Sequence, residues 1–261
     1  MSTMPEIAVD LNADVGESFG AFTVGDDKAV MESVTSVNVA AGFHGGDPRT
    51  IDRVIRLAAD RNIGVGVHPG FPDLVGFGRR DMSLTSDEIR TDVLYQIGAV
   101  YGLARAHGVK LQHVKPHGQL MNMAVTNRAM ADAVAGAVRA FDPNLILVSY
   151  GGELTRAAEA AGIPVAHEVY ADREYTAQGT LVSRKLPGAV IQDQGRIGER
   201  AVRMVRERTV VTITGETLSV RADTICVHAD TPGAAEIARS LRRSLEAANV
   251  TVLPLTAVLN G

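Results

Sequence analysis

The stretch Ile63-Gly64-Val65-Gly66-Val67-His68 (IGVGVH) is a short apolar run, rich in valine and ended by a histidine. Short β-branched runs bounded by turn residues are typical of buried strands. Similar runs recur along the whole chain, and helix-like amphipathic segments separate them. This alternation predicts βα units on a mostly parallel sheet. The seven predicted strands lie near residues 6–11, 35–40, 63–68, 110–115, 145–150, 164–169 and 223–228.

The segments between the predicted strands carry signals for helix ends. Asp47 precedes Pro48, which places a capping acid before a proline at the first helical position. Thr85 and Glu88 have the spacing of a capping box, and Gly108 is placed to end that helix. Further helices are predicted at 127–140, 153–161, 196–207 and 233–248.

One segment departs from the βα alternation. Residues 209–220 (TVVTITGETLSV) alternate with period two around Thr214-Gly215-Glu216, which predicts an inserted β-hairpin. No linker rich in Pro, Gly or Ser divides the chain, and an α/β barrel often has about this length. We therefore predict a single α/β domain over residues 1–261.

Composition excludes several classes of function. The net charge is -4 with scattered Lys and Arg, aromatic residues make up 4% and there is no Trp, which argues against a nucleic-acid partner. The sequence lacks a signal peptide and an apolar run of about 18 residues, which argues against a membrane partner. The single cysteine suits a reducing compartment. We expect a soluble, cytoplasmic protein.

Polar side chains collect at or just after the carboxyl ends of the predicted strands. In a barrel of parallel strands the loops at that end converge on one mouth, so these groups become neighbours. The candidates are Asp10, Asn12 and Asp14 after strand 1, Asn38 and His44 after strand 2, His68 at strand 3, Lys115 and His117 after strand 4, Glu168, Asp172 and Arg173 after strand 6, and His228 and Asp230 after strand 7.

The first cluster is spaced for one face of a strand. Asp10, Asn12 and Asp14 alternate with apolar residues, so an extended conformation through Asp14 would bring the three together. Two nearby carboxylates suit a divalent cation or a split pair of pKa values. The alternative is that Asp14 or Glu17 caps a short turn.

Histidines and basic residues supply the other candidates. His44, His68, His117 and His228 occupy equivalent strand ends, and we expect at least two of them to act in chemistry. His113 is expected to point away from Lys115 and to be structural. Guanidinium and ammonium groups grip phosphate or carboxylate, and the candidates for this are Arg79, Lys115, Arg173 and Arg184.

No P-loop, dinucleotide-binding or nucleophile-elbow motif is present. Several segments together resemble the signature blocks of the LamB/YcsF family, in the same order and over nearly the whole chain. They are DLNADVGESFG, NVAAGFHGGDP, GVHPGFPDLVGFGRR, YQIGAV, VKPHGQLMN, EVYADREY with GTLVSR, and ICVHAD. Ala41, Gly45, Gln119, Met121 and Ala229 depart from the family pattern, and none of these changes touches the acids, the histidines or Lys115.

The resemblance implies a distorted seven-stranded βα barrel, similar to the glycoside hydrolase/deacetylase superfamily. It also implies a component of an ATP-dependent 5-oxoprolinase, which opens the lactam of 5-oxo-L-proline to L-glutamate together with partner subunits B and C. Under this hypothesis Lys115 and Arg173, with Arg79 as a further candidate, hold phosphate. Asp14 and Asp10 hold the Mg²⁺ expected with ATP, and the four histidines supply proton transfer and substrate contacts. Asn12, Asn38 and Asp172 complete the predicted substrate or phosphate site.

Two alternatives stay open. A metal-dependent deacetylase or amidohydrolase of the same fold would use Asp14, His44 and His68 as ligands of a metal that activates water. The chain could also be a non-catalytic 5-oxoproline-binding protein whose partners perform the chemistry. The density of titratable groups argues against the second alternative, since one small carboxylate needs fewer.

Overall fold

The computed structural model describes residues 7–228, 230–231 and 233–260. The strands are β1 (Ile7–Val15), β2 (Ser36–Ala40), β3 (Gly64–His68), β4 (Leu111–Val114), β5 (Ile146–Ser149), β6 (Val165–Val169), β7 (Thr209–Val211), β8 (Thr217–Ser219), β9 (Thr224–Val227) and β10 (Val250–Val252). The helices are α1 (Asp27–Val30), α2 (Pro48–Asp60), α3 (Ser86–Ala106), α4 (Gly118–Thr126), α5 (Arg128–Phe141), α6 (Gly152–Ala160), α7 (Gln194–Arg206), α8 (Ala234–Ala247) and α9 (Leu255–Asn260).

Seven parallel strands close into a barrel. They run in the order β1-β2-β3-β4-β5-β6-β9, and β9 pairs back with β1. Strand β1 is long because its first residues pair with β10 and its later residues pair with β2 and β9. All seven predicted strands are confirmed, and the extended conformation does persist through Asp14. Strand β10 and the helices α1, α4 and α9 were not predicted.

The inserted hairpin is also confirmed. Strands β7 and β8 form a separate antiparallel pair in which Thr209 lies opposite Ser219. The helices predicted from their end signals are present: Asp47 caps α2 through Arg49 and Thr50, and Thr85 with Glu88 forms a complete capping box on α3. None of the described helices is long and apolar enough to cross a membrane.

The barrel wall is apolar outside and polar inside. On β1 the residues Val9, Leu11, Ala13 and Val15 are fully buried in the apolar layer that also contains the buried faces of the helices. The alternate residues face the lumen, because Asn12 reaches Glu168 on β6, a strand that does not adjoin β1. Each large apolar side chain in the outer layer contributes about 1.5–3 kcal/mol, which offsets the cost of a polar lumen.

Candidate functional site

A cavity of about 650 Å³ opens at the carboxyl ends of the barrel strands. This volume is within the usual range for small-molecule sites, about 300–1,000 Å³. Most of the predicted site residues converge there although they lie far apart in sequence. The predicted residues that line the cavity are Asp14, His68, Arg79, Lys115, His117, Arg173, Arg184 and His228.

Lys115 is the central cation of the cavity floor. Its Nζ lies 3.0 Å from Asp14 Oδ1 and 2.9 Å from Glu168 Oε1, and its side chain is almost fully buried. Burial disfavours the ammonium, but Asp14 and Glu168 outweigh it and raise the pKa of Lys115 well above its usual value. Burial opposes ionisation of Asp14 as well, yet His68 and Lys115 hold its pKa well below normal. Lys115 and Asp14 therefore form a charged pair at neutral pH.

Asn38 binds Asp14 directly, and Asn12 supports Asn38 and Glu168. Asn38 Nδ2 donates to Asp14 Oδ1 at 2.8 Å and to Asn12 Oδ1 at 2.7 Å. Asn12 Nδ2 in turn donates to Glu168 Oε1 and to the hydroxyl of Thr224. Neither amide lines the cavity. The structure thus places both residues where they position the charged floor, although the sequence predicted that they contact substrate or phosphate.

The predicted Mg²⁺ pair, Asp10 and Asp14, does not come together. The Asp10 carboxylate accepts hydrogen bonds from the hydroxyls of Thr35, Ser36 and Thr224, so both of its oxygens are engaged. Asp14 is held by the Lys115 ammonium and by Asn38. Mg²⁺ requires several free oxygen ligands, and an adjacent ammonium would repel it. These two carboxylates therefore do not fit a magnesium ion.

His228 and Asp172 form a hydrogen-bonded pair at the cavity wall. His228 Nδ1 lies 2.7 Å from Asp172 Oδ2, which leaves Nε2 with a lone pair when the ring is neutral. Burial raises the pKa of Asp172, but the neighbouring His228 outweighs it, so that the pKa lies below the usual value. The ring of Tyr170 stacks on His228 with centroids 5.5 Å apart. A carboxylate that orients a histidine is a common arrangement for proton transfer.

Cations surround the cavity mouth. Arg79 pairs with Asp230 at 2.7 Å, and its guanidinium lies over the ring of Phe77. Arg173 is buried and donates to the backbone carbonyls of Val182 and Ala189, so part of its donor capacity is already used. The cationic side chains of Arg184 and Lys185 also line the wall.

Three of the predicted histidines belong to one buried group. His44, His68 and His117 lie together with Glu17, a buried residue that the sequence suggested only as a turn cap. One ligating atom from each of the four residues lies within 4.8 Å of all the others. His44 is fully buried behind the cavity wall, whereas His68 and His117 line the cavity.

The predicted orientation of the His113 side chain was wrong. His113 Nε2 bonds Asn38 Oδ1 at 2.7 Å, and Asn38 contacts the same Asp14 oxygen that Lys115 binds. Residues 113 and 115 are two apart on an extended segment, so they share a face. His113 therefore points into the lumen, where it supports Asn38.

The sequence placed Glu168 among the polar residues at strand ends without a specific role, suggested Glu17 only as a turn cap, and did not single out Tyr170. Glu168 lies near the end of β6, where the rule that selected the other candidates also applies, and Tyr170 donates its hydroxyl proton to it. Glu17 follows β1 in the same segment as Asp14. A rule that retained every acid within a few residues of a strand end would also have included Glu17.

The chain matches known proteins along most of its length. The sequence profile of the LamB/YcsF family matches residues 9–260. The chain belongs to this family. The 5-oxoprolinase A subunit of Pyrococcus abyssi is 52% identical over 248 residues, which are 95% of this chain and 97% of the relative. A protein of the same name from Rhodopseudomonas palustris is 50% identical over 94% of this chain and 98% of the relative.

Solved structures agree with the fold. The crystal structure of a lactam utilization protein from Thermus thermophilus has a TM-score of 0.90 and 48% identity, and the match covers 94% of this chain and 99% of that one. A deacetylase solved with its substrate has a TM-score of 0.51 at 14% identity, covering 98% and 92% of the two chains. The first structure shares the fold of this chain at high sequence identity. The second similarity shows only that this type of barrel also occurs in deacetylases.

Proposed function

We propose that this chain is the A subunit of an ATP-dependent 5-oxoprolinase, which acts with partner subunits B and C to open 5-oxo-L-proline to L-glutamate. The names of the close relatives support the substrate and the role as one subunit of several. The observation that carries the proposal is a cavity that combines a cationic mouth, a charged lysine floor and a histidine–carboxylate pair.

The cations of the mouth suit the charge of the substrate. 5-Oxoproline carries one carboxylate, and activation by ATP adds a phosphoryl group with further negative charge. Arg79, Arg173 and Arg184 can offer forked donors to such groups, and Lys185 adds a point charge. A site for one small carboxylate would need fewer cations, so their number favours a phosphorylated intermediate.

The reaction requires activation because a five-membered lactam is a stabilised amide. In the proposed sequence the γ-phosphoryl group moves from ATP to the lactam oxygen, and ADP leaves. A water molecule then adds to the ring carbon, the carbon–nitrogen bond breaks, and the amine takes a proton to give an acyl phosphate. A second water releases phosphate and leaves glutamate. ATP is the co-substrate, and Mg²⁺ accompanies the nucleotide.

The cavity offers groups for each proton movement. His228, oriented by Asp172, accepts the proton of the attacking water through Nε2. Lys115 stabilises negative charge that develops on oxygen above the floor, and Glu168 and Asp14 keep it positioned. Cys226 is not the nucleophile in this scheme, because burial raises the pKa of its thiol well above the usual value.

The test is a reconstituted reaction. The chain is mixed with subunits B and C, ATP and 5-oxoproline, and the release of glutamate and ADP is measured. We expect the two products to appear together, and only when all three proteins are present. His107→Gln is the matched histidine control, because His107 pairs with Asp52 at the end of α3, away from the cavity. It should retain activity.

Two results would overturn the proposal. Glutamate release that does not depend on ATP would favour the metal-dependent amidohydrolase alternative. Full activity of subunits B and C without this chain would leave it no role in the reaction.

A further inference from the structure

Glu17, His44, His68 and His117 form a compact buried group at one side of the cavity, hereafter the histidine cluster. It is assembled from four separate segments, the turn after β1, the loops after β2 and β4, and the end of β3. His68 links the cluster to the lysine floor, because its Nε2 lies 3.4 Å from Asp14 Oδ2. The interpretation of the cluster does not rest on the proposed function.

Hydrogen bonds outside the cluster fix the proton positions on two of its rings. His68 Nδ1 lies 2.7 Å from the carbonyl oxygen of Lys115, and His117 Nε2 lies 2.8 Å from the carbonyl oxygen of Phe77. A carbonyl can only accept, so each of these nitrogens carries the proton. When the rings are neutral, His68 Nε2 and His117 Nδ1 each present a lone pair.

Those two lone pairs face each other. His68 Nε2 and His117 Nδ1 are 3.0 Å apart, and Glu17 Oε1 lies 3.5 Å from the same nitrogen of His117. Acceptors that face one another in a buried site are repulsive unless a cation lies between them.

The third histidine adds to this imbalance. Neither nitrogen of His44 has a hydrogen-bond partner, and Glu17 Oε1 also has none. His44 Nε2 is 3.4 Å from Glu17 Oε1, which is long for a hydrogen bond. Each unpartnered buried polar group costs about 1–3 kcal/mol. Other unpartnered buried side-chain atoms in the described part of the chain occur singly, at His113, Asp172 and Glu174.

The loops hold the rings in this arrangement. His44 stacks on His117 with centroids 3.7 Å apart and planes within 2° of parallel. A Cβ at Gly70 would lie 2.5 Å from His44 Nδ1, and a Cβ at Gly78 would lie 2.8 Å from both His44 Cβ and His117 Cδ2. Only glycine permits such close approach. The stacked rings are parallel, so one of them must turn for both to bind one ion.

We propose that the histidine cluster is a binding site for one divalent transition metal ion, with Zn²⁺ as the best match, coordinated by Glu17, His44, His68 and His117. Four ligand atoms around tetrahedral Zn²⁺, at about 2.0–2.1 Å from the metal, are about 3.3 Å from one another. Distances of 3.0, 3.4 and 3.5 Å separate the facing ligand atoms of the cluster. Three imidazoles and one carboxylate suit this class of ion. Backbone carbonyls orient two of the rings, as the hydrogen-bond partners of metal-bound histidines commonly do.

The other candidate group of ligands does not share these properties. Asp14, Cys226 and His228 also lie within 4.8 Å of one another. The Lys115 ammonium, however, lies 3.0 Å from both Asp14 Oδ1 and Cys226 Sγ. That position already holds a cation, and a metal ion would have to displace it.

The test measures metal binding directly. The full chain, produced without a polyhistidine tag, is stripped with a chelator and titrated with Zn²⁺ and, separately, with Co²⁺. We expect one ion per chain by elemental analysis, and the strong visible absorption of four-coordinate Co²⁺. Glu17→Gln and His117→Gln should each weaken Zn²⁺ binding at least about 100-fold, more than the 10–100-fold that is typical when only a hydrogen-bond partner of a ligand is lost.

His113→Gln is the matched control. His113 is as buried as the cluster histidines and also has an unpartnered nitrogen, but it lies in the lumen against Asn38. This variant should bind Zn²⁺ like the unmodified chain, and circular dichroism verifies that every variant is folded. If the folded chain binds neither ion at micromolar free concentration, or if Glu17→Gln and His117→Gln bind as tightly as the control, the proposal is overturned, and a proton lies between the facing nitrogens.

Discussion

Asp10 and Glu17 are two buried carboxyl groups that lie seven positions apart, one on β1 and one just after it. Burial raises the pKa of both, that of Asp10 to about 6 and that of Glu17 well above its usual value. Their surroundings differ sharply. Asp10 accepts hydrogen bonds from three hydroxyls, whereas Glu17 Oε1 has no hydrogen-bond partner and faces the nitrogens of two histidines.

The difference shows that one barrel contains two kinds of buried polar residue, those that stabilise the fold and those that are available to bind a ligand. At the level of Asp10 the lumen is filled by protein groups that satisfy one another, so nothing further can bind. In the histidine cluster the acceptors exceed the donors, and the proposed site is complete only with a cation. Satisfaction of hydrogen bonds, rather than burial or charge alone, distinguishes the two levels.

Lys115 lies between these two levels of the barrel, and its replacement should have the largest effect on stability. Lys115→Met leaves Asp14 and Glu168 as buried charges without their cation, which should cost about 3–5 kcal/mol of the free energy of unfolding. Denaturant unfolding measures this cost. The double variant Lys115→Met/Glu168→Gln removes one of the two orphaned charges and should recover part of it. A change below about 1 kcal/mol in the single variant would contradict a charged floor.

Replacement of His228 tests whether the reaction takes place at the cavity mouth. His228→Gln removes the proposed base, and in the reconstituted complex the rate should fall by about 10²–10⁴-fold. Because the ring acts in the transition state, kcat and kcat/KM should fall together. A rise in KM with unchanged kcat would instead assign His228 to substrate binding.

Replacement of Asp10 tests the level of the barrel where the polar groups satisfy one another, through the pH dependence of stability. The pKa of Asp10 rises from 3.8 to about 6 on folding, so the ionised form is disfavoured in the folded protein. Its favourable contribution is complete below pH 3.8 and is lost as the pH rises through about 6, a total of about 3 kcal/mol. Asp10→Asn should therefore gain stability relative to the unmodified chain by about 2 kcal/mol between pH 4.5 and 7.5, as measured by denaturant unfolding at each pH. Parallel stability curves would contradict the raised pKa.

The strands and most of the helices could be predicted because local patterns specify them. β-Branched runs mark β1 to β6 and β9, and capping residues mark α2 and α3. Strand β10, Val250–Val252, was not predicted because three residues are too few to carry a period without a turn signal such as the one between β7 and β8. The alternation of Asp10, Asn12 and Asp14 correctly placed them on one face.

The grouping within the mouth could not be predicted from spacing. Convergence at one end of the barrel follows from topology, but which polar groups pair with each other depends on side-chain contacts between distant strands. Asp14 pairs with Lys115, from a loop 101 positions away, rather than with Asp10 on its own strand. Glu17 joins three histidines from elsewhere for the same reason.

Glu17→Gln should give the smallest loss of stability, and it tests the histidine cluster. In the metal-free chain Glu17 makes no hydrogen bond through Oε1 and burial raises its pKa, so its replacement by a neutral side chain should lower the free energy of unfolding by less than about 1 kcal/mol. With Zn²⁺ at 100 times its dissociation constant the unmodified chain should gain about 2.7 kcal/mol. Thermal unfolding with and without Zn²⁺ measures both quantities. Asp10→Asn should respond to Zn²⁺ like the unmodified chain, whereas Glu17→Gln should not, because only Glu17 lies where an ion replaces missing hydrogen bonds. If Zn²⁺ stabilises all three proteins equally, Glu17 does not bind the ion, and the histidine cluster is not the metal site.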